Sequence, residues 1–160
     1  IFYKLGQYNK SLTYLNDAYE MESSEWEILL LLGANFAELG HYDEALQFLE
    51  KSYHYHQNLE TLSMIGYVQA LAGRNDRANQ VIKQIESESE SKGGEHDSLN
   101  LALIHLAMGK KDQAYDLLEE AYDRRAMLIG ISFDPRWRSL RSEDKFKELI
   151  QTVNGTSEPL

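Results

Sequence analysis

Apolar side chains recur along the chain every three or four residues, which is the spacing of one face of an α-helix. Leu29, Leu32 and Phe36 share one such face, and Ala45 and Leu49 share another. Turn-forming residues interrupt these stretches. The pattern predicts an all-α protein in which the end of a truncated helix at 1–5 is followed by helices near 8–21, 25–38, 42–54, 58–71, 75–88, 98–108, 111–124 and 143–153.

The helical stretches are related by a repeat. Glycines at positions 6, 40, 73 and 109 are separated by 34, 33 and 36 residues (40−6, 73−40 and 109−73). A period of this length is typical of stacked helical hairpins. Two further columns follow the glycines: a small residue five places later (Ser11, Ala45, Ala78, Ala114) and a large one nine places later (Leu15, Leu49, Ile82, Leu118).

Individual residues predict how the helices end, begin and pack. The periodic glycines suit a left-handed residue that closes a helix C-terminus. Gly33 and Gly66, in mid-helix, predict close approach of two backbones. Ser24 and Glu27 have the spacing of a capping box, and Asn58 is expected to cap the following helix.

These columns resemble the 34-residue tetratricopeptide repeat. The stretch from Leu32-Gly33 through Gly40, Tyr42, Ala45 and Leu49 fits that pattern closely. The resemblance implies a right-handed α-α superhelix, or solenoid, of about three and a half hairpins with a C-terminal capping helix. It places the units at about 1–25, 26–58, 59–94 and 95–126, followed by a capping segment at 127–160.

The chain after residue 126 departs from the period. Its Asp134-Pro135-Arg136-Trp137 and Leu140-Arg141 motifs resemble the closing segment of bacterial repeat proteins with regulatory or signalling roles. A solenoid must cover the open edge of its last hairpin. We therefore expect four residues to serve as a cap: Phe133, Trp137, Leu140 and Phe146.

The segment from Ser87 to Glu95 alternates Ser and Glu before two glycines. Such a composition offers no apolar face to bury. We expect a mobile loop there.

Composition and charge narrow the function classes. The chain has 26 acidic and 16 basic residues, for a net charge of −10, which disfavours binding to nucleic acid or to an anionic membrane. The absence of cysteine excludes a disulfide, a thiol nucleophile and a cysteine-ligated metal. The longest apolar run, Ile28–Leu32, is far too short to span a membrane. The expected location is the cytoplasm.

The basic residues concentrate near the C-terminus. Residues 124–147 carry seven bases against three acids. Intramolecular pairing with the acidic repeat body is the favoured interpretation. Binding of nucleic acid by this patch is the alternative.

No arrangement of residues indicates catalysis or a cofactor. Adjacent carboxylates such as Glu119 and Glu120 diverge on a helix, so they do not form a general acid/base pair. The imidazoles of His54 and His56 would point in roughly opposite directions on a helix, which disfavours a shared metal ion. We expect a protein that is not an enzyme and binds no metal.

The resemblance implies that the first helix of each unit lines a concave groove that receives a peptide. The stretches 25–38, 58–72 and 98–108 contain no Lys or Arg, so the expected ligand is a neutral to basic, partly apolar protein segment. The alternative is that Leu30, Leu99 and Leu103 simply pack in the core. The implied groove residues are Glu27, Leu30, Ala34, Ala37, Glu38, Glu60, Ser63, Tyr67, Ala70, His96, Leu99, Asn100 and Leu103.

Two functions follow from this sequence. The first is a scaffold or sensory and regulatory module that binds a partner's segment in the groove. The second is self-association, within a bacterial signalling or transcription regulator whose catalytic or DNA-binding domain lies upstream of Ile1. A homodimer would then form through the N-terminal edge, where Tyr8, Leu12, Tyr14 and Leu15 are expected to present apolar surface.

Overall fold

The computed structural model describes residues 2–91, 98–123 and 131–155. These residues form helices and turns and contain no strand, which confirms the predicted all-α solenoid of stacked helical hairpins. The elements are α1 (Tyr8–Met21), α2 (Trp26–Glu38), α3 (Tyr42–Tyr55), α4 (Leu59–Leu71), α5 (Asn75–Ser91), α6 (Ser98–Ala107), α7 (Lys111–Asp123), a 3₁₀ turn (Pro135–Trp137) and α8 (Asp144–Gly155).

Consecutive helices pack as hairpins. Helix α2 packs on α3, α4 on α5 and α6 on α7, while α4 also contacts α6 of the next hairpin. Gly33 and Gly66 lie where this packing is closest. A Cβ on Gly33 would lie 2.5 Å from Cγ of Leu49, and one on Gly66 would lie 2.7 Å from Cδ1 of Ile104. The predicted close approach at both glycines is confirmed.

Gly40, Gly73 and Gly109 follow the ends of their helices as predicted, and Gly6 closes the turns at residues 2–6. Gly6, Gly40, Gly73 and Gly109 all have positive φ angles, between 70° and 81°. At the end of α2, the amide of His41 donates to the carbonyl of Phe36 over 2.9 Å, which satisfies an otherwise unpaired carbonyl. Each glycine thereby turns the chain into the following helix.

The truncated helix predicted at 1–5 and the capping box predicted at Ser24 are wrong, whereas the cap predicted at Asn58 is confirmed. Residues 2–6 form turns and no α-helix, although the amides of Gly6 and Gln7 donate to the carbonyls of Tyr3 and Phe2 in the pattern that also closes α2. The capping box is absent, because α2 follows the extended backbone of Glu25 with no side-chain bond at its first turn. Asn58 does cap α4: its side-chain oxygen accepts a 2.8 Å hydrogen bond from the amide of Thr61.

The Ser/Glu stretch is helical as far as the structure describes it. Helix α5 continues through Ser91, and Ser89 is only 2% exposed, so the predicted loop is wrong for residues 87–91. Ile82, Ile85 and Ser89 lie three and four residues apart, and all three are buried. A small serine therefore continues the buried face that the isoleucines begin. Residues 92–95 lie outside the described residues.

The C-terminal cap is confirmed for three of its four predicted residues. Trp137, Leu140 and Phe146 are at most 2% exposed, whereas Phe133 is 72% exposed and is not part of the cap. Helix α8 is tied to α7 by polar contacts. Glu143, just before α8, accepts hydrogen bonds from Lys111 and Tyr115, and Lys145 pairs with Glu119.

Candidate site: the groove face and the C-terminal segment

The predicted groove residues on α2, α4 and α6, here called the groove face, are mostly covered. Glu27 and Glu60 are exposed, while Glu38, Leu99 and Asn100 have intermediate exposure. His96 lies outside the described residues. Seven of the predicted residues are buried: Leu30, Ala34, Ala37, Ser63, Tyr67, Ala70 and Leu103.

A segment from the far end of the chain lies against the groove face. Nη2 of Arg138 donates a 2.6 Å hydrogen bond to Oε2 of Glu38, the last residue of α2. The hydroxyl of Tyr8 donates to the same oxygen over 3.2 Å. The Glu38 side chain is only 1% exposed, so this carboxylate joins α1, α2 and the C-terminal segment, residues 131–141, out of contact with solvent.

The C-terminal segment is shaped by a pair of opposite charges two residues apart. Asp134 accepts from the backbone amide of Arg136 over 3.0 Å and from its guanidinium over 2.5 to 3.0 Å. The guanidinium of Arg141 donates to the Asp134 carbonyl over 2.9 Å. Pro135 fixes the first position of the 3₁₀ turn between them. The turn is therefore held by its own side chains.

The pKa values of Asp134 and Arg136 are shifted by burial and by the interaction of the two side chains. Burial alone would raise the pKa of the Asp134 carboxyl, but the hydrogen bonds and charge of Arg136 together lower it below its ordinary value. Burial would lower the pKa of Arg136, and Asp134 more than compensates, so the pKa of the guanidinium is raised. Both groups are ionised at neutral pH, and their charges offset one another.

Two tyrosines mark where this charge pair lies. Burial raises the pKa of the Tyr67 hydroxyl on α4, and the nearby carboxylate of Glu38 raises it further. Burial likewise raises the pKa of Tyr3, against the opposing charge of Arg136. Both tyrosines feel the charges of Glu38, Asp134 and Arg136. The charge pair therefore lies within electrostatic range of both tyrosines.

The apolar side chains of the segment complete this contact. Trp137 is 2% exposed and stacks on Phe146 with a centroid separation of 6.4 Å. Leu140 is fully buried. Trp137, Leu140 and the buried apolar residues of the groove face belong to one continuous hydrophobic cluster. The C-terminal segment thus covers apolar surface of the repeats as well as pairing with Glu38.

These positions bear on both interpretations of the groove face. Leu30 and Leu103 lie in the core, as the alternative interpretation holds, and Leu99 packs against it. Binding of a peptide at these residues stays a prediction. Sequence reasoning missed that Arg138 and Tyr3 belong to the site. A signal was present in the sequence: helices α2, α4 and α6 lack Lys and Arg, whereas residues 136–141 carry three arginines.

Two of the basic residues near the C-terminus pair with acids of the repeats, as the favoured interpretation held. Arg138 pairs with Glu38 and Lys145 with Glu119 on the repeats, and Arg136 pairs with Asp134. Arg124 and Arg125 lie outside the described residues. Arg136, Arg138 and Lys145 are thus each already paired with a carboxylate.

Other kinds of site are not evident in the described part of the chain. No three or more His, Asp or Glu residues within ranges 2–91, 98–123 and 131–155 come together as metal ligands would. None of the helices in those ranges has the length and apolarity needed to cross a bilayer.

Known proteins share the repeat. Residues 99–135 match the tetratricopeptide repeat family. The match covers α6, α7 and the start of the C-terminal segment. A protein of Bos taurus, BBSome complex member BBS4, is 27% identical over 116 residues, which is 71% of this chain and 22% of that protein. The chain therefore spans about a fifth of the relative's length, and no solved structure matches it.

The comparisons support a coarse functional class. Tetratricopeptide repeats in general serve as scaffolds for protein–protein interaction and are typically not enzymes. The resemblance of the tail to bacterial regulatory proteins has no support here and stays a prediction.

Proposed function

We propose that this protein is a non-enzymatic scaffold whose groove face binds an extended segment of a partner protein. The observation that carries the proposal is the contact of the groove face with residues 131–141, a short segment without α-helix that presents arginines and an aromatic ring. A surface that accepts one such segment is suited to another of the same chemistry. A cytoplasmic location and a bacterial signalling context are retained as predictions.

The charge of the groove face supports the ligand class. Glu27 and Glu60 occupy equivalent positions, the second residue of α2 and of α4, and both are exposed. No Lys or Arg lies on α2, α4 or α6 to oppose them. Leu31, also exposed, adds apolar surface on α2. This combination favours a basic, partly apolar peptide and disfavours an acidic one.

A peptide-display experiment tests this proposal. Random peptides selected on the immobilised full chain should be enriched in arginine and aromatic residues. The double substitution Glu27→Lys with Glu60→Lys should weaken their binding by about tenfold or more, because two attractive charges become repulsive.

A matched control separates the groove face from general charge effects. Asp17→Lys with Glu50→Lys makes the same change in net charge at exposed positions on α1 and α3, the second helices of their hairpins. Peptide affinity should be unchanged in this variant. Equal loss of affinity in both variants, or selection of acidic peptides, would contradict the proposal.

Self-association is a second candidate, because the N-terminal edge exposes apolar side chains. Leu5, Tyr14 and Met21 are 63%, 57% and 89% exposed. Tyr14 and Met21 lie seven residues apart on α1 and therefore share a face. Light scattering of the full chain tests this candidate: a dimer that Tyr14→Ser with Met21→Ser converts to a monomer supports it, and a monomer throughout the concentration range contradicts it.

A further inference from the structure

The C-terminal segment shows in detail which chemistry the groove face recognises. It presents an acid, an arginine two residues later, an aromatic ring and a second arginine, in the order Asp134, Arg136, Trp137, Arg138. The second arginine pairs with Glu38, and the first pairs with Asp134. Each charged group thus has a defined position.

The segment is also an incomplete ligand. Among the described residues, Oε1 of Glu38 and the hydroxyl of Tyr3 are buried and have no hydrogen-bond partner. A buried polar atom without a partner costs about 1–3 kcal/mol. A segment that places a donor within reach of Glu38 Oε1 would gain a hydrogen bond that residues 131–141 do not supply.

We propose that residues 131–141 are a built-in competitor for the groove face, and that the partner which displaces them carries an acid-x-arginine-aromatic-arginine segment. The inference rests on the proposed function and adds to it the ligand motif and an intramolecular block. A tethered segment acts at a high effective concentration, so it lowers the affinity for a partner without preventing binding. The affinity seen by a partner scales with the fraction of molecules whose segment is released.

The competing segment can be weakened without altering the groove face. Arg138→Glu places a carboxylate opposite Glu38 and repels the segment, while every residue of the groove face stays unchanged. Arg138 is more than half exposed, so this variant is expected to fold. Release is monitored by the fluorescence of Trp137 in a Trp26→Phe background, since the chain has two tryptophans. Exposure of the buried Trp137 should shift its emission to longer wavelength.

The test measures binding of a fluorescein-labelled peptide with the sequence of residues 131–141. We expect the full chain carrying Arg138→Glu to bind this peptide at least tenfold more tightly than the unmodified chain. A peptide that itself carries the Arg138→Glu change should not bind the released chain. A chain carrying Glu38→Arg should show the reverse preference and bind the altered peptide.

The outcomes separate the inference from the proposed function. Equal affinity of both chains for the peptide, while display-selected peptides still bind, overturns the inference alone. If neither the 131–141 peptide nor any display-selected peptide binds either chain, the proposed function is overturned together with the inference. A chain that is dimeric by light scattering only while Arg138 is intact would show that the segment occupies a second copy, which also overturns the intramolecular block.

Discussion

Glu38 and Arg138 lie 100 residues apart in sequence and are joined by a 2.6 Å hydrogen bond. The contact links the end of α2 to the C-terminal segment. In the sequence, helices α3 to α7 lie between these two elements. Arg138 also lies near the C-terminus of α2, where a cation interacts favourably with the helix dipole. The end of α2 and the C-terminal segment are therefore joined by this ion pair, and the buried Trp137 belongs to the same hydrophobic cluster as residues of α2.

The strength of this ion pair can be measured with a double-mutant cycle. Glu38→Gln, Arg138→Gln and the double variant should show a coupling of about 1 kcal/mol in the free energy of unfolding. The value is small for a pair with a buried carboxylate because the Arg138 side chain is 57% exposed and its charge is screened by solvent. Urea unfolding at neutral pH gives the four stabilities. Zero coupling would mean that the two charges do not interact in solution.

Asp134 predicts a dependence of stability on pH. Its pKa in the folded protein lies below the ordinary value of 3.8, so its ionised form stabilises the fold above that pH. Asp134→Asn keeps the side-chain oxygen that caps the 3₁₀ turn but removes the charge that Arg136 requires. It should lower the free energy of unfolding by about 1.5–3 kcal/mol at neutral pH.

The difference between the two chains should then shrink on acidification. As the pH falls through the lowered pKa, Asp134 becomes protonated in both the folded and the unfolded chain, and its contribution is lost. Urea unfolding curves at neutral pH and at about pH 3 provide the comparison. A difference in stability that is independent of pH would contradict the account of the Asp134–Arg136 pair.

The mid-helix glycines should differ in their tolerance of a methyl group. On Gly33 the added Cβ would lie 2.5 Å from Leu49 Cγ and 3.0 Å from the carbonyl oxygen of Ala45, which is backbone and cannot move aside. On Gly66 the nearest atoms, in Ile104 and Val81, all belong to side chains and none to the backbone. We expect Gly33→Ala to lower stability by about 1–3 kcal/mol through overpacking.

Gly66→Ala is the matched comparison, and it should cost less than Gly33→Ala. Alanine favours the helix over glycine by about 1 kcal/mol in either position, so that gain cancels in the comparison. Thermal unfolding followed by circular dichroism ranks the two variants. The opposite ranking would show that the α2–α3 contact is looser than the structure indicates.

Asn58 should contribute as a helix cap. Asn58→Ala removes the acceptor for the Thr61 amide and should reduce the free energy of unfolding by about 1 kcal/mol. Glu25→Ala serves as the control, because Glu25 precedes α2 without a side-chain capping bond. Chemical denaturation of both variants gives the comparison, and equal losses would argue against a specific cap at Asn58.

Much of the fold could be predicted from the sequence because its repeats are encoded locally. The left-handed glycine at position 40 and the tight packing at Gly33 each need only their own hairpin to be understood. Helix α5 extends beyond its predicted end because the Ser/Glu composition of its last turns does not reveal that Ser89 continues the buried face. Phe133 was assigned to the cap because it is aromatic, yet it faces solvent.

The cover on the groove face could not be predicted in the same way. Each repeat determines how the adjacent repeats pack. The Glu38–Arg138 contact depends instead on the course of the chain after the last repeat, which brings Arg138 to the end of α2. The sequence pointed to this contact through complementary charge, with acids on α2 and α4 and arginines after residue 135. A periodic pattern contains no information about such a return.

The distance between the C-terminal segment and the repeats can be measured in solution. The chain contains no cysteine, so a pair of spin labels can be placed at Ser139 and Gln47, both exposed, and measured by pulsed electron resonance. A single narrow distance distribution that broadens in the Arg138→Glu variant and on saturation with a display-selected groove peptide is the predicted result. A broad distribution in the unmodified chain, unchanged by either perturbation, would contradict the claim that residues 131–141 cover the groove face.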